Sequence, residues 1–315
     1  MKRFLTYCAI FAVIVVLLLA TVEAIVRHYP NSYSYKDQWM RAHGDSVTTL
    51  ILGGSHSYYG LDPAMLGPGT FNLANVTQHP EYDYYVLTRY PTASLRRVIL
   101  VVDAVNVFDY PVEVLPEDSY RATYYRVYMG CDKHSVLSRY GFELASLESC
   151  KKKIVPAVKY IFTGHYELNC DSLGIGHWFE DHAFRTPAEL KGYAEAAVKR
   201  HRCKDYSNID YNVEWVDSIG EYCRRRGIEI VVVTPPAVPE YYNNVEQRQI
   251  DEMYRVVKHI TSRYGARYYD YFKDNRFDSN DFYDADHLAD PGARKLTRLL
   301  LDDMAKDEKA VEKPK

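Results

Sequence analysis

The hydrophobic and polar positions divide the chain into one long apolar run at the N-terminus and a mixed region after it. The apolar run extends without a charge from Phe4 to Val22, and Lys2 and Arg3 precede it. At about 1.5 Å per residue it forms roughly 28 Å of helix, which is close to the thickness of a bilayer's hydrocarbon core. The pattern therefore predicts a transmembrane helix within residues 1–27.

Charge next to this run predicts the topology. Basic residues that flank a membrane span stay in the cytoplasm, so the chain after Arg27 is expected to be extracytoplasmic, or periplasmic. A cleaved signal peptide is the alternative, because Val22, Glu23 and Ala24 form a passable cleavage site. The apolar run is long for a signal peptide, which favours a single-pass anchor. Both interpretations export the rest of the protein.

Short apolar runs in the mixed region predict five β-strands. Two of them, 98–102 and 228–234, are nearly continuous in β-branched residues, which is typical of parallel strands covered by helices on both faces. The runs are 48–52, 70–73, 98–102, 228–234 and 267–272.

Helical patterns with recognisable ends separate these strands. Thr186, Pro187 and Glu189 form the pattern of a capping box with proline at the first helical position. Gly227 and Gly265 each follow an amphipathic segment and precede a predicted strand, as helix-terminating glycines do. Strands alternating with helices predict a three-layer α/β/α fold around a five-stranded, mostly parallel sheet.

Length and composition predict one globular domain beside the anchor. A chain of 315 residues with 47% hydrophobic content can bury one substantial core. We assign residues 28–45 to a polar juxtamembrane linker, 46–302 to the domain, about 111–211 to an insertion within it, and 303–315 to a charged, frayed tail. The 39 basic and 42 acidic residues are mixed along the chain, so nucleic acid is not an expected partner.

Candidate chemistry lies at the carboxyl ends of the first and last predicted strands. Ser55 directly follows the first strand and two glycines, and Asp284 and His287 follow the last strand. Ligands of doubly wound sheets bind at the carboxyl ends of the strands. Since a serine hydroxyl is a weak nucleophile until a histidine takes its proton and a carboxylate orients that histidine, these residues predict an acyl-transfer triad.

Each of these residues also has an ordinary structural interpretation. Ser55 alone could cap the turn that follows it, and His56 is expected to be structural or to face substrate. Asp281 and Asp286 are expected to be solvated loop acids. A metal site is disfavoured because the carboxylates near His287 crowd one short loop and no second histidine cluster complements them. No metal and no cofactor are expected.

The two motifs together resemble the SGNH, or GDSL-like, hydrolase superfamily. Gly54 and Ser55 are similar to its Gly-Asp-Ser block, and Asp284-x-x-His287 is similar to its closing Asp-x-x-His block. The subgroup that the chain resembles is the membrane-anchored, envelope-facing one, related to alginate O-acetyltransferase-like and DltD-like proteins. The stretches that carry this resemblance are 54–63, 71–74 and 233–236.

The resemblance implies a flavodoxin-like fold and a role for each site residue. Ser55 would be the nucleophile, His287 the base and Asp284 the orienting acid. Thr77 stands where the family usually has a glycine whose amide helps to form the oxyanion hole. Asn106 is the part of the family's third block that this chain retains. Thr77 and the residues on either side of Asn106 therefore leave the oxyanion donors less well matched than the triad.

The implied activity is that of an extracytoplasmic esterase or O-acyl(acetyl)transferase. Its substrate would be an acylated carbohydrate or another acyl ester of cell-surface or exported polysaccharide. The alternative is a non-catalytic envelope protein of the same fold that binds polysaccharide or a membrane acyltransferase partner.

Overall fold

A five-stranded parallel sheet forms the centre of the computed structural model, which describes residues 1–108, 120–131, 142, 144, 147–177, 183–184 and 186–312. The strand order is β2-β1-β3-β4-β5, and every neighbouring pair is parallel. The predicted α/β class is therefore confirmed. The strands are β1 (Thr49–Leu52), β2 (Thr70–Asn72), β3 (Arg97–Val101), β4 (Glu229–Thr234) and β5 (Arg267–Asp270).

Helices precede, connect and follow these strands. They are α1 (Lys2–Arg27), α2 (Ser32–His43), α3 (Ser55–Gly60), α4 (Pro63–Leu66), α5 (Pro80–Arg89), α6 (Tyr120–Val127), α7 (Leu147–Thr163), α8 (Pro187–His201), α9 (Asn208–Arg226), α10 (Pro239–Tyr242), α11 (Gln247–Tyr264) and α12 (Asp290–Glu312). Helices α5, α9 and α11 pack side by side, and α12 packs on α3 and α4. These two groups cover the sheet.

The predicted helix ends are present. The Thr186 side chain accepts from the Glu189 backbone, and the Glu189 side chain accepts from the Thr186 backbone, so the capping box is complete. Gly227 and Gly265 end α9 and α11 with φ of 64° and 67°. Only glycine adopts this left-handed conformation without steric cost, which is why these positions stop a helix directly before a strand.

The described chain divides into two compact units. One comprises residues 1–38 and 112–169, and the other comprises residues 39–111 and 170–315. The second unit contains all five strands and every candidate site residue. Residues 112–169 of the predicted insertion belong to the first unit, and residues 170–211 belong to the second.

Helix α1 is long and apolar enough to cross a membrane. Its most apolar window has a mean hydropathy of 2.9, and side chains such as Phe4 and Leu17 are 68% and 61% exposed. Such a helix serves as a membrane anchor or as a signal sequence.

The prediction of a frayed tail is wrong. Helix α12 continues past Asp302 to Glu312, and the residues assigned to the linker, 28–45, contain helix α2. Met304 is buried, and the Tyr269 hydroxyl donates to Asp307 at 2.8 Å. These contacts stabilise a segment whose composition alone is typical of a solvated end.

Candidate active site

Ser55 is positioned by the turn between β1 and α3. Gly53 has φ of 122°, and a Cβ at this position would meet the Ser57 hydroxyl oxygen at 2.3 Å, so the turn requires glycine. The Gly53 N–H donates to Asp83 Oδ1 at 2.8 Å, and the Ser57 hydroxyl donates to the Leu52 carbonyl at 2.7 Å. Ser55 is the first residue of α3 and therefore lies at the carboxyl end of β1.

Asp284 and His287 are positioned by a closed loop before α12. The Tyr283 N–H donates to the His287 carbonyl at 2.9 Å, and Phe282 bridges Leu288 in antiparallel fashion. Asp284 Oδ1 accepts from the backbone N–H of His287 at 2.8 Å and of Asp286 at 3.1 Å. This is the local hydrogen bonding by which aspartate fixes a turn.

The structure brings Ser55, His287 and Asp284 into one hydrogen-bonded chain. His287 Nε2 lies 2.8 Å from Ser55 Oγ, and His287 Nδ1 lies 3.1 Å from both carboxylate oxygens of Asp284. In this arrangement the serine hydroxyl donates to a neutral imidazole, and the imidazole donates to the carboxylate. It is the geometry of a nucleophile, a general base and an orienting acid.

Electrostatics favour an ionised Asp284 and a basic His287. Burial lowers the pKa of His287, but the Asp284 and Asp286 carboxylates outweigh it and leave that pKa raised. Burial raises the pKa of Asp284, but the His287 ring outweighs it and leaves that pKa lowered. Opposite shifts on two partners are typical of a charge-assisted pair.

A second histidine lies between two carboxylates beside this chain. His56 Nδ1 is 2.8 Å from Asp103 Oδ2, and His56 Nε2 is 3.0 Å from Asp286 Oδ2. The His56 ring stacks on the His287 ring with a centroid distance of 4.8 Å and an interplanar angle of 23°. His56, expected to be structural or substrate-facing, thus contacts the candidate base directly.

The expectation of solvated loop acids is wrong for both aspartates. Asp286 is 3% exposed and Asp281 is 7% exposed. Asp281 accepts from the Lys295 ammonium at 2.7 Å, which compensates the burial of its charge. Burial raises the pKa of Asp286, but the three histidine rings around it, with His287 the strongest, outweigh burial and leave that pKa lowered. A sequence pattern does not show which cations reach a loop.

Two further members of the site, Asp103 and His201, were missed by sequence reasoning. Asp103 follows β3, and its place after a predicted strand was a usable signal. Its Oδ1 accepts from the N–H groups of Val105 and Asn106, both at 2.8 Å. His201, at the end of α8, follows no predicted strand and so carried no such signal. Its Nδ1 lies 2.9 Å from the Tyr241 hydroxyl and 3.6 Å from Asp286 Oδ2. Burial lowers the pKa of His201 to about 4, so the ring is neutral at pH 7.

The candidate oxyanion residues lie in the loops after β2 and β3. Thr77 has φ of 57°, which lies in the left-handed region that favours glycine. Glycine is the usual residue at this position in the SGNH hydrolases that the sequence resembles. Asn106 closes the loop after β3, where its side chain donates to the Val101 carbonyl at 2.8 Å and accepts from the Asp103 N–H at 3.2 Å. Among the described residues, no hydrogen bond joins Thr77 or Asn106 to Ser55.

Backbone donors remain available beside Ser55. Within the described part of the chain, the N–H groups of Ser55 and Thr77 donate to no protein acceptor. The loop that contains Thr77 approaches the Ser55 turn, because a Cβ on Gly54 would lie 3.5 Å from the Gln78 carbonyl oxygen. Unused N–H groups next to a nucleophile are what an oxyanion hole requires.

The histidines and acids of the site do not form a ready metal centre. His56, Asp286 and His287 each offer one ligand atom, and these atoms lie within 4.8 Å of one another. However, both nitrogens of His56 bond to carboxylates, and those of His287 bond to Ser55 and Asp284. A cation would have to displace these hydrogen bonds.

Comparison with known proteins gives distant structural matches. No protein-family model matches the chain, and no curated protein matches it. A solved structure from Streptococcus pneumonia, provisionally described as a platelet activating factor, aligns with a TM-score of 0.42 and 10% identity over 93% of this chain and 98% of that chain. At this distance the match assigns neither a family nor an activity to the chain.

Proposed function

We propose that the protein is a serine acyl-ester hydrolase or O-acyl(acetyl)transferase of the SGNH type that acts on cell-surface or exported polysaccharide. The observation that supports this function is the chain of contacts from Ser55 Oγ through the His287 ring to the Asp284 carboxylate, at 2.8 Å and 3.1 Å. Its three members come from two loops at the carboxyl end of a parallel sheet, where doubly wound folds bind ligands.

Acyl transfer would begin with His287. Its Nε2 takes the Ser55 proton while Ser55 Oγ attacks the acyl carbonyl carbon, and Asp284 stabilises the resulting imidazolium. The N–H groups of Ser55 and Thr77 would hold the oxyanion. Asn106 has a second side-chain N–H beyond the one given to Val101, which would add to them.

Collapse of the tetrahedral intermediate would complete the first half of the reaction. The bond between the carbonyl carbon and the alcohol oxygen breaks, the alcohol leaves with the proton from His287, and the acyl group stays on Ser55. Water or a sugar hydroxyl then gives its proton to His287 and attacks the acyl carbonyl carbon, and the bond from that carbon to Ser55 Oγ breaks as Oγ takes the proton back from His287. Water yields a carboxylic acid and a sugar hydroxyl yields a new ester, so the acceptor decides between esterase and transferase.

The N-terminal helix supports the proposed location and substrate class. With basic Lys2 and Arg3 on the cytoplasmic side, an uncleaved α1 would hold the sheet-containing unit on the outer face of the membrane. Polysaccharide of the cell envelope is the acyl-bearing polymer that such an enzyme would meet. Its acetylation or deacetylation is therefore the proposed reaction.

Active-site labelling tests the proposal. The full-length protein in detergent micelles is treated with a fluorophosphonate and mapped by peptide mass spectrometry, and turnover of an acetyl ester is measured in parallel. We expect the label on Ser55, and we expect loss of both label and turnover in Ser55→Ala but not in Ser218→Ala, a surface serine of α9. Label on Ser57 or on another serine would contradict the assignment.

The non-catalytic alternative is favoured by one observation: Thr77 and the residues on either side of Asn106 depart from the oxyanion blocks of the SGNH hydrolases that the sequence resembles. It predicts equal, background turnover of acetyl esters and acetylated glycan by the wild type and by Ser55→Ala, together with retained glycan binding. Turnover by the wild type that is lost in Ser55→Ala would exclude the non-catalytic alternative.

A further inference from the structure

We propose that His56 is a positioning residue of the same site: an imidazolium held between Asp103 and Asp286, whose charge keeps the stacked His287 ring available as a base. This role rests on the proposed function of Ser55 and His287. His56 does not touch the reacting atoms and acts through His287.

Hydrogen-bond chemistry determines the protonation state of His56. A carboxylate only accepts hydrogen bonds, and a neutral imidazole has only one N–H to donate. His56 faces Asp103 at 2.8 Å with one nitrogen and Asp286 at 3.0 Å with the other. Because Asp103 also accepts two backbone N–H groups, it is ionised. Both contacts are therefore satisfied only when both nitrogens of His56 carry a proton.

The positive charge of His56 counteracts the effect of the nearby carboxylates on the protonation of His287. Asp284 and Asp286 lie 3.1 Å and 3.8 Å from His287 Nδ1, and both favour its protonated form. A protonated His287 cannot accept the Ser55 proton. An imidazolium stacked 4.8 Å away opposes that protonation through like-charge repulsion.

The other titratable groups around the two rings do not replace this charge. They are Tyr59, whose ring meets His287 edge-on at 6.1 Å, and His201 and Tyr241 on the far side of Asp286. Burial keeps His201 neutral at pH 7, with its pKa lowered to about 4. Among the described residues that contact His287, His56 is therefore the source of positive charge.

Opposite shifts in the pH profile test this role. The acidic limb of kcat/KM on a neutral acetyl ester is measured for wild type, His56→Gln, Asp286→Asn and the double variant. We expect the limb to move up by about one to two pH units in His56→Gln and down by a similar amount in Asp286→Asn. The double variant should lie near the wild type. Lower rates with an unmoved limb, or shifts in the same direction, would show a merely structural role.

A second readout does not depend on turnover. In full-length protein with ¹⁵N-labelled histidine, both ring nitrogens of His56 should show protonated chemical shifts at pH 7, assigned by their loss in His56→Gln. A neutral His56 overturns the proposal whatever the activity. If His56 is charged but the protein shows no turnover, the result supports this charge arrangement and contradicts the proposed function.

The outer face of α7 carries a second, independent inference: we propose that it lies on the surface of an anionic phospholipid bilayer. In the compact unit that contains both helices, α7 packs against α1. The Tyr29 and Tyr160 rings meet edge-on at 6.0 Å. Side chains of α1 become buried only at Glu23 and Val26. Helix α7 therefore lies at the end of α1 where a membrane-spanning helix would leave the bilayer.

Composition of this face matches the bilayer interface. Val155, Val158 and Phe162 are spaced three and four residues apart, so they share one side of the helix, and they are 74%, 39% and 83% exposed. Exposed Lys151, Lys152 and Lys159 border this stripe. An apolar stripe edged by lysines binds the boundary between acyl chains and anionic headgroups.

Depth-dependent quenching tests this orientation. Full-length Phe162→Trp and Tyr193→Trp proteins are reconstituted into vesicles of phosphatidylcholine and phosphatidylglycerol with brominated acyl chains, and wild-type fluorescence is subtracted. Tyr193 is an exposed control on α8, at 42%. We expect at least twofold stronger quenching at position 162 than at 193. Equal quenching, or shielding of position 162 by a second copy of the chain, would overturn the proposal.

Discussion

His287 Nε2 lies 2.8 Å from Ser55 Oγ although the two residues are 232 positions apart in the chain. They follow β5 and β1, which are not neighbours, since β3 and β4 lie between them in the sheet. The loop that carries His287 must therefore extend across the carboxyl edge of the sheet. Its path is held by a hydrogen bond from the Val238 N–H to the Ala285 carbonyl at 3.1 Å and by the packing of α12 on α3.

The proposed orienting role of Asp284 predicts that its substitution has a large kinetic effect with little structural change. In Asp284→Asn the side-chain oxygen would still accept the backbone N–H of His287, but the new NH₂ group could face His287 Nδ1 and favour the wrong tautomer. We expect kcat on an acetyl ester to fall by about 10³ to 10⁴ in this variant. Circular dichroism should be unchanged, and Asp302→Asn, on the exposed side of α12, should retain wild-type kcat. A fall of less than tenfold would contradict the assignment.

The proposed acyl-transfer activity should rise with pH through the titration of His287. This ring accepts the Ser55 proton only when it is neutral, and its pKa is raised because the Asp284 and Asp286 carboxylates outweigh its burial. The acidic limb of kcat/KM should therefore have its midpoint above the ordinary histidine value of about 6.5. Measurement on a neutral ester avoids titration of the substrate. A midpoint below about 6 would show that the carboxylates do not act on this ring.

Asp83 beneath the Ser55 turn should make stability fall as pH rises. Burial raises its pKa to about 7, although Gln78 and the Gly53 N–H both donate to it. Since the folded-state pKa lies above the unfolded value, the native state binds the extra proton. The stabilising contribution is complete below about pH 4 and is lost as pH rises to about 7.

Substitution of Asp83 by asparagine isolates this effect. The amide oxygen of the new side chain can still accept from the Gly53 N–H, and the amide has no charge to bury. We expect the unfolding free energy of Asp83→Asn, relative to wild type, to increase by up to about 4 kcal/mol between pH 4 and pH 8. Urea unfolding at both pH values measures it. A difference that does not vary with pH would contradict the prediction.

Backbone strain at Thr77 predicts a stabilising substitution. A non-glycine residue in the left-handed region destabilises the folded state by roughly 1–2 kcal/mol. Glycine avoids this strain, but it destabilises the fold by roughly 0.5–1 kcal/mol because it loses more conformational entropy on folding. Thr77→Gly should therefore raise the unfolding free energy by about 0.5–1 kcal/mol. Thr88→Gly, within α5, is the matched control and should lower it. Equal destabilisation of both variants in urea would show that Thr77 is not strained.

Local patterns were sufficient to predict the sheet and its helix ends. The run 98–102 predicted β3, observed at Arg97–Val101, because continuous burial of β-branched side chains is a property of the segment itself. Gly227 and Thr186 were recognisable for the same reason, since each acts on the few residues next to it. The candidate triad was recognisable because each of its members follows a predicted strand.

The charges around His287 were decided only by the tertiary structure. His56 meets Asp103 and Asp286 from positions 47 and 230 residues away, and the sequence placed Asp286 in solvent. A periodic pattern in the sequence indicates which side chains of one segment are buried. Which carboxylates lose their water, and which imidazoles then compensate them, depends on the loops that meet at one edge of the folded sheet.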